Sequence, residues 1–99
     1  MNINKSQEGT KVMLALEGRL DTTTAPELET CIKGLEPSVM ELVMDFKALD
    51  YLSSAGLRVI LAAQKQMNAK QGKMVICNVN ETIMEVFEVT GFVDILTIQ

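Results

Sequence analysis

Two adjacent serines, Ser53 and Ser54, are the residues in this sequence best placed to do chemistry. They lie between an apolar run at residues 40–46, predicted to be a strand, and a run from Gly56 with the apolar content of a helix. Serines at a helix start commonly cap its free N–H groups. The same helix end carries partial positive charge, so a phosphate on Ser54 would be stabilised there. Spacing alone favours capping and leaves phosphorylation open.

Other catalytic arrangements are excluded by the residues that the chain lacks. There is no histidine, which removes a Ser-His-Asp triad, a His-ligated metal and the commonest general base. Residues 52–56 read Leu-Ser-Ser-Ala-Gly and are not a nucleophile elbow, and no glycine-rich phosphate loop occurs. The carboxylates Asp21, Asp45 and Asp50 have no second ligand type beside them. We therefore predict a binding protein, not an enzyme, with no cofactor and no metal.

Composition and charge narrow the class of partner. The 99 residues predict a single domain over residues 1–99, and the net charge of −4 with nine dispersed basic residues argues against nucleic-acid binding. Cys31 and Cys77 lie far apart in apolar patterns and are predicted to be reduced core residues. No signal peptide and no apolar run that could span a bilayer is present, so we expect a cytoplasmic protein.

The apolar periodicity predicts the order β-β-α-β-α-β-α-β. The strands are expected at residues 2–7, 11–17, 40–46, 73–77 and 93–98, with a polar break at residues 47–50. Thr24 and Glu27 have capping-box spacing, and Asn80 and Gly91 are predicted to start and end the third helix. Val93 and Ile95, with Leu96 as a further candidate, are expected to face inward from the last strand. The fold class is therefore α/β, a mixed sheet with a parallel centre and an antiparallel hairpin around Gly9.

Three motifs carry a family resemblance. Residues 45–61, Asp-Phe-Lys-Ala-Leu-Asp-Tyr-Leu-Ser-Ser-Ala-Gly-Leu-Arg-Val-Ile-Leu, resemble the signature of the STAS domain, specifically the small single-domain anti-sigma factor antagonists of bacteria. Residues 18–21, Gly-Arg-Leu-Asp, are similar to the family's Gly-x-Leu-Asp turn, and residues 89–92 are similar to its Val-Thr-Gly-Phe segment. The resemblance spans essentially the whole chain and implies a single STAS-like domain.

The resemblance also implies functional residues. The serine two places before the glycine is the one phosphorylated in the family, which here is Ser54. Many such antagonists carry an acid directly before it, where this chain has Ser53, so Ser53 is the alternative phosphoacceptor. The implied partner-binding residues are Asp21, Ser53, Ser54, Gly56, Leu57 and Arg58. Asp21 could instead accept turn N–H groups, Leu57 could pack in the core, and Arg58 could be a solvated helix residue.

The implied partners are an anti-sigma factor of the serine kinase type and a PP2C-type serine phosphatase. In this reading the unphosphorylated chain binds the anti-sigma factor, and phosphorylation releases it, which regulates sigma-factor-dependent transcription by partner switching. We expect no membrane insertion and a monomer when free. Two alternatives stay open: an unphosphorylated STAS module of a lipid-transport complex or a ligand-sensing protein, and a purely structural interaction protein.

Overall fold

The computed structural model describes all 99 residues. In chain order the elements are strand β1 (Asn2–Glu8), strand β2 (Lys11–Leu20), helix α1 (Ala25–Lys33), strand β3 (Glu41–Leu52), helix α2 (Ser54–Ala69), strand β4 (Lys73–Cys77) and helix α3 (Glu81–Thr90), followed by a 3-10 turn (Phe92–Asp94). None of the helices is both long and apolar enough to cross a membrane.

The four strands form one mixed sheet in the order β1-β2-β3-β4. β1 and β2 pair antiparallel around a turn at Gly9, whose φ of +63° is in the left-handed region that glycine adopts without strain. β3 pairs parallel with β2 on one side and with β4 on the other, and the last β3–β4 pair is Asp45 with Cys77. The predicted hairpin, parallel centre and fold class are confirmed.

Alternate residues of the strands build the core. One buried cluster joins the inward positions of the strands to the inner faces of all three helices. The strands contribute Val12, Leu14, Leu16, Leu42, Met44, Met74 and Ile76, and the helices contribute Leu28, Ile32, Ile60, Ile83 and Phe87, among others. Val43, on the opposite face of β3, is also buried at 8% exposure, as expected for an interior strand.

The predicted polar break at residues 47–50 is wrong, because β3 continues to Leu52. Its register against β2 shifts twice, so that β3 places one extra residue between Asp45 and Ala48 and another between Leu49 and Tyr51. These β-bulges stretch the spacing of the inward residues from two to three, at Phe46, Leu49 and Leu52. A strand with that spacing does not show the period-two pattern by which strands are predicted.

The predicted last strand over residues 93–98 is also wrong in its greater part. Gly91 ends α3 in the left-handed conformation, as predicted, and the chain then folds into a tight turn in which Ile95 N–H donates to the carbonyl of Phe92. Val93 and Ile95 are 40% and 52% exposed and do not face inward. Only a single parallel bridge between Ile76 and Ile98 remains of the strand.

Candidate functional site

The candidate site lies where β2 and β3 end. Leu20 and Leu52 are paired as the last residues of these parallel strands, so the chain leaves the sheet at the same edge with Asp21 and with Ser53. The backbone N–H of Ser53 donates to the carbonyl of Leu20 at 2.9 Å. This bond fixes the start of α2 against the end of β2.

The two serines have different roles in the structure. Ser53 is the N-cap of α2, with extended backbone angles, and its hydroxyl accepts from the N–H of Gly56 at 3.3 Å. Its carbonyl accepts the first helical bond, from Leu57 N–H at 3.0 Å. Ser54 is the first helical residue, it is exposed, and its side chain makes no hydrogen bond. The predicted cap is therefore Ser53, and the hydroxyl of Ser54 is free.

The electrostatics at Ser54 favour an anion. The first N–H groups of a helix have no intrahelical acceptor, and at α2 these include the N–H groups of Ser54 and Ala55. No acidic side chain occupies the first turn of α2 to balance the partial positive charge. Arg58 is exposed and lies four residues after Ser54, which places the two side chains on the same face of the helix.

Gly56 and Leu57 do not lie on the accessible surface that the resemblance implied. Leu57 is 7% exposed and belongs to the core, which is the packing alternative predicted from its helix spacing. Gly56 is also buried, and a Cβ there would lie 2.7 Å from Leu20 Cγ and 2.8 Å from Leu52 Cδ1. The glycine lets α2 approach the strand ends closely. In the free protein both residues thus position the helix, and their predicted contact with a partner stays a prediction.

Asp21 organises the turn between β2 and α1. Its Oδ1 accepts from Thr23 N–H at 3.0 Å, from Thr23 Oγ1 at 2.8 Å and from Thr24 N–H at 3.2 Å. The pKa of Asp21 lies below its ordinary value, mainly because the hydroxyl of Thr23 donates to the carboxylate. Partial desolvation acts in the opposite direction but is the smaller effect. The second oxygen lies 3.7 Å from Arg19 Nε. The turn role, one of the two predicted for Asp21, is present, and 28% of its side chain stays exposed.

The predicted capping box at Thr24 and Glu27 is wrong. Thr24 precedes α1, but its hydroxyl makes no capping bond to the helix. Instead its Oγ1 accepts from Asp21 N–H at 2.8 Å and donates to the carbonyl of Arg19 at 2.8 Å. The carboxylate of Asp21 accepts from the N–H groups of Thr23 and Thr24. The side chain that the sequence pattern assigned to the helix cap is therefore bonded within the turn before the helix.

Sequence reasoning missed Arg19 and Tyr51 as part of this surface. They are neighbours across β2 and β3, and the guanidinium carbon of Arg19 lies 4.1 Å from the centre of the Tyr51 ring, in a cation–π contact. Tyr51 is 41% exposed. Their pairing depends on the second bulge of β3, so no spacing in the sequence could have indicated it.

A shallow groove continues the site between the starts of α1 and α2. It has a volume of about 230 Å³. Its lining includes Thr22, Pro26, Glu29, Ala55 and Arg58. Arg58 therefore borders both Ser54 and the groove. We define the switch surface as Arg19, Asp21, Tyr51, Ser54 and Arg58.

Asp45 and the two cysteines lie outside this surface. Asp45 accepts from Asn78 Nδ2 and from Lys47 N–H, both at 2.9 Å, and the Asn78 bond is the main cause of its lowered pKa. No three His, Cys, Asp or Glu side chains are grouped so as to hold a metal. Cys31 and Cys77 are free and half-buried, and desolvation raises the pKa of the Cys77 thiol.

Comparison with known proteins identifies one family. The family model described as STAS domain matches residues 2–99. BtrV of Bordetella bronchiseptica, named as a candidate anti-sigma factor antagonist, is 35% identical over 88 residues, covering 88% of this chain and 76% of BtrV. The anti-sigma-B factor antagonist of Bacillus subtilis is 26% identical over 98 residues, covering 99% and 90% of the two chains.

A solved structure shows the same fold. The Bacillus cell fate determinant SpoIIAA in its phosphorylated form superposes with a TM-score of 0.79 at 19% identity, covering 99% of this chain and 91% of that one. Together with the family model, which accounts for nearly every residue, these similarities establish that the chain belongs to the STAS domain family.

Proposed function

We propose that this protein is an anti-sigma factor antagonist that works by partner switching. When Ser54 is unphosphorylated, the switch surface binds an anti-sigma factor of the serine kinase type, and phosphorylation of Ser54 by that partner releases the complex. The observation that carries the proposal is the free, exposed hydroxyl of Ser54 at the first position of α2, beside a Ser53 hydroxyl already used as the cap.

The named relatives support this role. Both sequence relatives above are described as antagonists of anti-sigma factors. The SpoIIAA fold has been solved in a phosphorylated form, so a protein of this architecture carries a phosphate. The same role requires a serine phosphatase to restore the unphosphorylated state, and we propose a PP2C-type enzyme acting in the cytoplasm.

The physical basis of the switch is charge at the surface. A phosphate adds a charge of about −1.5 to −2 at pH 7, together with strong acceptor oxygens. The helix N-terminus stabilises that charge, and Arg58 can pair with it across one helical turn. The phosphorylated protein therefore keeps its fold, while the partner meets a bulky anion and a guanidinium that is no longer free. Release follows from the altered surface and requires no unfolding.

The site assignment is tested by mass spectrometry of the protein recovered from its native host. The peptide spanning residues 47–58 should carry one phosphate, on Ser54. The phosphate should be absent from a Ser54→Ala variant and present in the matched Ser53→Ala variant, because Ser53 is occupied as the cap. A phosphate on Ser53, or an unphosphorylated peptide under all growth conditions, would overturn the assignment.

Partner switching needs a separate binding measurement. Wild-type protein and a Ser54→Asp variant are compared for binding to the host's anti-sigma factor. We expect the variant to bind at least about tenfold more weakly, which corresponds to a loss of roughly 1.4 kcal/mol. Equal binding by both would indicate an interaction protein without regulation at this serine. Copurification with a lipid-transport subunit or a nucleotide would instead favour the unphosphorylated-module alternative.

A further inference from the structure

Three exposed apolar side chains lie close together in the sequence, from the last turn of α3 to the residue after the 3-10 turn. Val89, Val93 and Ile95 are 82%, 40% and 52% exposed. We call these three residues the α3-end patch. They make up half of the large apolar side chains that the structure leaves exposed, the others being Met13, Met40 and Tyr51. Exposed apolar side chains grouped in one segment of a small protein can mark an interaction site.

The fold does not require these side chains for its own packing. α3 contacts the core through Ile83 and Phe87, one turn apart, and Val89 lies outside that face. Val93 and Ile95 point outward from the 3-10 turn after Gly91, while Leu96 is buried at 6% exposure and Phe92 and Ile98 pack partly against the core. The three side chains are therefore available to contact a partner.

The patch lies within the most acidic part of the chain. Residues 74–99 contain four acids and no Lys or Arg, whereas residues 1–73 contain nine acids and nine bases. The net charge of −4 therefore resides in the last 26 residues. Glu81, Glu85 and Glu88 recur at i, i+4 and i+7 on one face of α3, and they line a depression of about 460 Å³. None of the four acids forms an ion pair.

The α3-end patch is remote from Ser54. α3 is capped by Asn80, whose Nδ2 donates to the carbonyl of Leu49 near the carboxyl end of β3, at the sheet edge that carries Ser53. The helix then runs back for ten residues, a distance of about 15 Å. The patch therefore lies at the opposite end of α3 from the helix start that contacts the end of β3.

We propose that the α3-end patch and the acidic face of α3 form a second docking surface for a partner protein that presents a basic amphipathic helix. Charge distinguishes among the partners that could bind this surface. A second copy of this chain would bring acidic face against acidic face, and an anionic lipid surface would be repelled in the same way. A helix with Leu or Ile on one side and flanking Lys or Arg complements both the apolar side chains and the unpaired carboxylates. This surface is independent of the switch proposed at Ser54.

The first test uses a defined probe, an 18-residue amphipathic peptide of Leu and Lys, with a scrambled peptide of the same composition as control. Titration into 15N-labelled protein should shift the amide signals of residues 81–96, and the scrambled peptide should shift them much less. The Val89→Ser/Ile95→Ser double variant should bind about tenfold more weakly, and so should Glu85→Gln/Glu88→Gln. All four residues are exposed, so folding is retained and is checked by thermal unfolding.

A matched control removes the same charge elsewhere. Glu8→Gln/Glu36→Gln neutralises two exposed carboxylates that form no ion pair, and it should leave peptide affinity unchanged. Equal weakening by both charge variants, or shifts spread over all acidic residues, would show nonspecific attraction and overturn the proposal.

The second test places a photo-crosslinking amino acid at position 89 in the native host. A crosslink to a basic amphipathic segment of another protein, mapped by peptide sequencing, supports the proposal. A crosslink to a second copy of this chain, a crosslink to an acidic segment, or no crosslink while the same label at position 58 is captured would each overturn it.

Discussion

The starts of α2 and α3 are built on one plan and differ in the features that matter for function. Each helix follows a parallel strand, and each has a polar N-cap that accepts from the N–H three residues later. Ser53 accepts from Gly56 at 3.3 Å, and Asn80 accepts from Ile83 at 2.9 Å. The capping bond is therefore common to both helix starts, and the differences between them lie in charge and in further side-chain bonds.

The α3 start has more polar partners than the α2 start. Glu81 places an acid in its first turn, and the Asn80 side chain also donates to the carbonyl of Leu49 at 3.0 Å. The α2 start has no acid in its first turn, and its cap has only the one side-chain bond. The positive end of α2 thus lacks a negative partner, which is the condition under which adding a phosphate is favourable.

The largest change in the free energy of unfolding is expected for substitutions at the third residue of each helix. Ile83 fills the core at 1% exposure, so Ile83→Ala should lower the free energy of unfolding by about 2–5 kcal/mol through the cavity it leaves. The matched position in α2 is Gly56, where Gly56→Val should cost about 1–3 kcal/mol by overpacking against Leu20 and Leu52. Urea unfolding of both variants measures these values.

A control for Gly56→Val is Ser54→Val, which puts the same side chain two residues earlier at an exposed position. It should change stability by less than about 0.5 kcal/mol. If Gly56→Val were as stable as this control, α2 would not be in close contact with the strand ends.

Substitution of the N-cap residues should lower the free energy of unfolding by a smaller amount. Ser53→Ala removes one capping bond and should cost about 1 kcal/mol. Asn80→Ala removes a cap and also leaves the Leu49 carbonyl without its donor, so we expect about 2 kcal/mol. Thermal unfolding compares the two variants directly. Equal costs would mean that solvent replaces the Asn80–Leu49 bond.

The smallest effects concern charge in the first turn. Ser54→Asp should raise the free energy of unfolding by about 0.3–1 kcal/mol, and Glu81→Gln should lower it by a similar amount, because both act on a helix dipole. Both effects should shrink in high salt, since the charges are exposed. A Ser54→Asp variant that is less stable than wild type would contradict the view that the α2 start is suited to an anion.

These helix starts were predictable because their signals are local. Asn80, Gly91 and the serine pair each indicate a helix boundary within a few residues, and each was correctly located. The α1 start failed for a related reason. Thr24 has the right spacing to Glu27, but Asp21, three residues earlier, forms the competing bonds that a pattern confined to the helix cannot include.

Features that depend on two strands together were not predictable. The second half of β3 shows a spacing of three because bulges against β2 insert residues, and the partner strand is not part of the local pattern. The contact of Arg19 with Tyr51 has the same origin. The resemblance indicated a region of the chain for the site, and the structure was needed to show that Ser54 and Arg58 are exposed there while Gly56 and Leu57 are buried.

The end of β3 has a further consequence for solubility. β4 stops at Cys77, opposite Asp45, so residues 48–52 pair with β2 only and form an open strand edge. Such edges recruit strands from other molecules and promote aggregation. Here the bulges distort the edge, the exposed charge of Lys47 precedes it, that of Asp50 lies within it, and Asn80 donates to the carbonyl of Leu49. The strand that leads to Ser54 can therefore stay uncovered without acting as a template for self-assembly.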